Sequence, residues 1–125
     1  MVLLKGVIMD TYPKKEEEKA LQTISSVIAA CEKMRFKRGS SQNTLLNNRI
    51  KALRISCALL KGENVFDSYT REDLAGALRP LDSIIGKCEK ALSKPSPNSS
   101  GYTRLKNIVE ATRVSKSLIE RTLKE

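Results

Sequence analysis

Apolar residues recur at spacings of three and four along most of the chain, a period that predicts amphipathic helices. A first helix is expected over residues 15–36. Leu21, Ile24, Ile28 and Cys31 form its stripe, flanked by Ala20 and Val27. A second is expected over residues 44–61, with Leu46, Ile50, Leu53, Cys57 and Leu60 on one face. A third is expected over residues 71–93, where Leu74, Ala77, Leu81, Ile84, Cys88 and Ala91 keep a regular three-four rhythm. A fourth is expected over residues 102–124, with Leu105, Ile108, Val109, Thr112, Ser115, Ile119 and Leu123 turned inward. Residues 1–13 carry a short apolar run interrupted by Lys5 and are expected to form an extended arm. No β-type alternation longer than that arm occurs.

The punctuation agrees with these elements. Glu16, Glu17 and Glu18 open the first helix, and Lys33, Arg35 and Lys37 close it, a polarity that complements the helix macrodipole. Gly62 stands where a C-terminal cap belongs, and Thr70 with Asp73 resembles an N-terminal capping box. Polar, small-residue connections fall at residues 37–43, 62–69 and 94–101. Pro80 lies inside the third helix, removes a backbone donor and crowds the preceding turn. A kink near Leu78, or a break with a new helix opening at Pro80, is therefore expected.

The first and third helices align at an offset of 57 with 8 identities in 18 positions, among them Cys31-Glu32-Lys33 on Cys88-Glu89-Lys90. The second and fourth align at an offset of 59 with 7 identities in 18, including Asn48 on Asn107, Arg54 on Arg113 and Ser56 on Ser115. Chance supplies roughly one or two matches per window at ordinary composition. Shared periodicity accounts for the apolar matches but not for polar residues landing on their counterparts in order. The expectation is a duplicated αα-hairpin, residues 15–61 and 71–124. One hairpin buries only one face, so two are expected to close a four-helix bundle about a pseudo-two-fold axis, as a single helical domain over residues 1–125.

Composition narrows the function classes. At 125 residues, 40% hydrophobic and 30% charged, the chain has the makeup of one folded domain. It contains no His, which excludes His-ligated metals and His-based acid–base or nucleophilic chemistry. Nucleotide-cradling glycine motifs and nucleophile elbows do not occur. The three cysteines are far apart without a C-x-x-C and are expected as small buried hydrophobes in a reducing cytoplasm. The apolar N-terminal run is far short of the roughly 20 residues of a membrane span. The reading is of a non-enzymatic protein without cofactor or metal.

Charge supplies the candidate surface. The formal net charge is +9. If the hairpins align, one end of the bundle gathers Lys33, Arg35, Lys37, Arg38, Arg49, Lys87, Lys90, Lys94, Arg104 and Lys106. The opposite end holds Glu16, Glu17, Glu18, Glu63, Asp67, Glu72, Asp73, Glu120 and Glu125. A one-ended basic cap suits an acidic protein, a phosphate backbone or an anionic membrane surface. A second candidate is a pseudo-symmetric groove lined by Asn48, Arg54, Asn107 and Arg113, whose arginines would grip an anion bidentately. The expected function is a cytoplasmic interaction module that binds an acidic or anionic partner through its basic end. The partner is expected to be another protein or a second copy of the chain. One alternative is a nucleic-acid-binding accessory protein, although no helix-turn-helix, zinc finger or aromatic-basic pattern occurs. Another, by analogy of fold alone, is a protein like the bacteriocin immunity proteins, acting at the inner membrane face.

Overall fold

A computed structural model describes residues 14–125. The expected N-terminal arm lies outside these residues. The described chain is all-helical: α1 spans Lys14–Glu32, α2 Ser41–Leu60, α3 Arg71–Ala91 and α4 Ser100–Leu123, with a single 3-10 turn at Val65–Asp67. Each helix packs against the next, α4 closes back onto α1, and α2 also meets α4 across the bundle.

The helix ends differ from their expected positions for local reasons. α2 and α4 each begin three or two residues early, because Ser40 and Ser99 act as N-caps. Their hydroxyls accept from the amides of Asn43 at 3.2 Å and Tyr102 at 3.1 Å. α1 stops at Glu32, not Phe36. The amides of Lys33 and Met34 fold into tighter bonds to Ala30 and Cys31. The Arg35 guanidinium then donates to the carbonyls of Glu32 at 2.6 Å and Met34 at 2.9 Å. Beyond that point the chain has no apolar surface to cover, and Met34 and Phe36 are left exposed. α2 ends as expected at Gly62, which has a φ of +80°. The amide of Gly62 bonds the Leu59 carbonyl and that of Glu63 the Ala58 carbonyl, a Schellman motif. The Thr70–Asp73 capping box is complete.

α3 runs without a break through Pro80, so no new helix opens there. An interior proline costs a helix about 3 kcal/mol. Burial of Leu74, Ala77, Leu81, Ile84 and Ile85 on the same helix offsets that cost.

The core follows the predicted stripe on α3 from Leu74 to Ile84 and departs from the stripes on α2 and α4. On α2, Leu46 and Leu53 are buried but Ile50, Cys57 and Leu60 only partly, while Ala52, Ile55 and Ser56 are enclosed. α2 touches three other helices, so its buried arc is wider than one stripe and rotated toward its small residues. α4 does the same with Ala111, Val114 and Leu118. The buried hydroxyls of Ser56, Ser115 and Thr112 each donate to the carbonyl four residues back, at 2.9, 2.9 and 2.6 Å. They therefore enter the core without an unpaired polar group. Val65, in the 3-10 turn, adds an unexpected core residue from the α2–α3 connection.

Candidate binding surface

The helix ends position the basic residues. Lys33, Arg35, Lys37 and Arg38 leave α1 on the connection to α2; Lys90 sits in the last turn of α3 and Lys94 on the connection to α4. Arg49, on α2, marks where the two sets meet, because its charge acts on the thiols of both Cys31 and Cys88, near the C-terminal ends of α1 and α3. Arg104 acts on Cys88 as well. Burial nevertheless dominates at both thiols and holds them above the usual thiol range, as it does at Cys57. Cys31 is buried, but Cys88, expected to match it, is only half-buried.

Two of the four described ion pairs border these cations, since Glu32 precedes Lys33 and Glu89 precedes Lys90. Lys51 pairs with Asp73 at 2.7 Å and Lys116 with Asp82 at 2.8 Å, while Arg54 pairs with Glu32 and Arg113 with Glu89. Among the described residues, Lys33, Lys37, Arg38, Arg49, Lys87, Lys90, Lys94, Arg104 and Lys106 form no ion pair. Arg35 is engaged instead with its own helix terminus. At the opposite end, Arg71 donates to the carbonyls of Leu123 and Glu125 and stands 5.9 Å from the Phe66 ring centroid, tying the α2–α3 connection to the end of α4.

The four residues expected to share one groove are divided. Asn48 lines a groove between α2 and α3, and Asn107 one between α1 and α4. Arg113 reaches the edge of the α1/α4 groove, whereas Arg54 lines a separate cleft of about 400 Å³ with Ser25, Cys57 and Lys61. Each arginine is occupied by the glutamate of the helix before it, and no described groove contains both. The single anion clamp is therefore not formed. The reason is geometric: Asn48 and Asn107 border different pairs of helices, and each arginine is drawn to the glutamate of the helix before it.

The two interhelical grooves occupy corresponding positions at the offsets of 57 and 59, yet their chemistry differs. The α1/α4 groove, about 550 Å³, presents Gln22, Thr23, Ser26, Thr103 and Arg104. The α2/α3 groove, about 300 Å³, presents Leu45, Arg49, Arg79, Pro80 and Lys87. Leu45 is 64% exposed and was missed by stripe analysis because it lies beside the Leu46–Ile50–Leu53 face. The usable signal was its mismatch with Arg104 at the corresponding position of the other hairpin.

Among the described residues no helix is long and apolar enough to cross a membrane, and no three metal-ligating side chains gather. Comparison with protein-family models, curated proteins and solved structures finds no match.

Proposed function

We propose that the chain is a non-enzymatic interaction module, built from two copies of an αα-hairpin, that binds an acidic or anionic partner through its basic end. The observation that carries this reading is the scarcity of carboxylates beside one group of cations. Unpaired lysines and arginines occur elsewhere too, but there Glu16, Glu17, Glu18, Glu63, Glu72 and Glu120 stand among them, whereas the nine named above at the α1–α2 and α3–α4 end share their stretches of chain only with Glu32 and Glu89, both already taken by Arg54 and Arg113. Like charges gathered in this way repel one another, and a partner of opposite sign relieves that repulsion. At physiological salt the repulsion extends only about 8 Å, so it acts among neighbours in the cluster rather than across the molecule.

The hairpin duplication is supported by contacts as well as by letters. Glu32–Arg54 and Glu89–Arg113 pair at corresponding positions. So do the caps Ser40 and Ser99, and the back-bonded hydroxyls of Ser56 and Ser115. Ser25 touching Cys57 corresponds to Asp82 touching Lys116, a shared contact with changed chemistry.

The test is capture of partners from native lysate, with and without nuclease, by the wild type and by a variant carrying Lys37→Glu, Arg38→Glu, Lys90→Glu and Lys94→Glu. All four positions are exposed at helix ends or in connections, so helicity by circular dichroism should persist. Loss of capture in the variant supports the reading, and loss on nuclease treatment alone moves the partner to nucleic acid. Unchanged capture by the variant reduces the basic end to a solvated surface.

A further inference from the structure

We infer that the α2/α3 groove is a docking site for an amphipathic acidic segment of a partner protein, one that presents an apolar side chain and carboxylates together. This rests on the basic-end reading above and gives it a place and a partner chemistry.

Three features of the groove point the same way. Leu45 and Pro80 offer apolar surface, and Leu45 is the most exposed large hydrophobic residue described, at 64%. Arg49, Arg79 and Lys87 surround that surface, and no carboxylate lines this part of the groove. The third feature is a backbone acceptor. Pro80 has no N–H, so the carbonyl of Gly76, which also lines the groove, lacks the amide donor it would otherwise receive from four residues on. A polypeptide laid along the groove carries donors suited to it.

The charge pattern sets the limits of the site. Further along the same pair of helices, Glu72 and Asp73 line the next stretch, where Lys51 closes on Asp73 at 2.7 Å. A carboxylate-bearing segment is repelled from that stretch and held in the Arg49–Lys87 half. There, arginine forks match carboxylates bidentately.

Comparison with the α1/α4 groove argues that this combination is not a by-product of the bundle. The positions corresponding to Leu45, Arg49, Arg79 and Pro80 are Arg104, Ile108, Gln22 and Thr23, so that groove has neither the exposed leucine nor the three cations. Nucleic acid fits the site less well. No aromatic side chain lines it to stack a base, and a phosphate backbone gains nothing from an exposed leucine.

The experiment titrates isotope-labelled protein with a synthetic helical peptide bearing leucines on one face and glutamates beside them, following backbone amide shifts. Shifts are expected to concentrate at residues 45–49 and 76–87. Leu45→Ser and Arg79→Gln, both at exposed positions, should each weaken binding by about tenfold, while Gln22→Ala in the other groove should leave it unchanged. The inference is overturned if no binding occurs or if shifts spread evenly over the basic residues. It is also overturned if a peptide with serine in place of leucine binds equally well, or if an oligothymidylate displaces the peptide from the same amides. The lysate capture separates the two ideas. Loss in the quadruple charge reversal but not in Leu45→Ser leaves the basic-end reading standing and removes the groove. Retention in both removes both.

Discussion

The α1–α2 pair and the α3–α4 pair match at several buried positions and differ in the surface laid over them. Inside, Ile24 and Leu81 occupy corresponding positions and are both fully buried, as are Ser56 and Ser115. Outside, the α1/α4 groove carries one cation, Arg104, whereas the α2/α3 groove carries Arg49, Arg79 and Lys87 beside the exposed Leu45. Core positions answer to close packing, where a lost methylene is felt immediately, yet Leu53 and Thr112 show that even fully buried counterparts differ. Surface positions answer to no such constraint. The docking proposed for the α2/α3 groove rests on the difference between the two surfaces.

The sharpest test of the buried match is in the core. Ile24→Ala and Leu81→Ala should each lower unfolding free energy by about 2–5 kcal/mol in urea titration, and by similar amounts. Markedly unequal losses would mean that the hairpins pack differently despite their matched letters. Pro80 marks the surface difference, since its counterpart is Thr23. Pro80→Ala should raise stability by about 1–3 kcal/mol, as an interior amide bond to Gly76 becomes available. The same substitution should weaken the Leu-Glu peptide, because the groove loses both its apolar wall and its free acceptor.

Smaller effects sharpen the comparison further. Ser40→Ala and Ser99→Ala should each cost about 1 kcal/mol, measured by thermal unfolding, since both hydroxyls cap the same turn of matched helices. Double-mutant cycles on Glu32–Arg54 and Glu89–Arg113 should give couplings of about 0.5 kcal/mol or less, because all four side chains are about half exposed. The cysteines should break the symmetry. Iodoacetamide should modify half-buried Cys88 before buried Cys31, read by mass spectrometry of the native protein. Equal rates would show that the two sites open together.

One effect belongs to a pair that has no counterpart. Asp73 has its carboxyl pKa lowered by the hydrogen bond from Lys51 and by the amide of Thr70. A depressed carboxyl contributes stability that is present above its unfolded value and is lost as pH falls through its folded value. Acid titration of the wild type should show that loss, and Asp73→Asn should flatten it. In the corresponding place Glu16 and Glu110 are both carboxylates, so no such pair forms there.

The linear sequence by itself determined the number and order of the helices. It also determined the Gly62 and Thr70 punctuation and the stripe that became the core of α3. These depend on period, backbone chemistry and capping, which act within a turn or two of chain. The tertiary structure decided the rest. Whether α2 buries Ile50 or Ile55 depends on its touching three helices, which no single stripe encodes. α1 ends at Glu32 because Met34 and Phe36 find no core to enter, although their pattern continues the helix. Asn48 and Arg54 were separated because their side chains project toward different neighbours. Leu45, an inconspicuous leucine among others in the sequence, is left the most exposed large hydrophobic residue described because the packing of α2 buries Leu46 and Leu53 and turns its own side outward. Local propensity is a property of neighbours in the chain, but a groove belongs to two helices brought together from distant parts of it, and its contents follow from the packing that joins them.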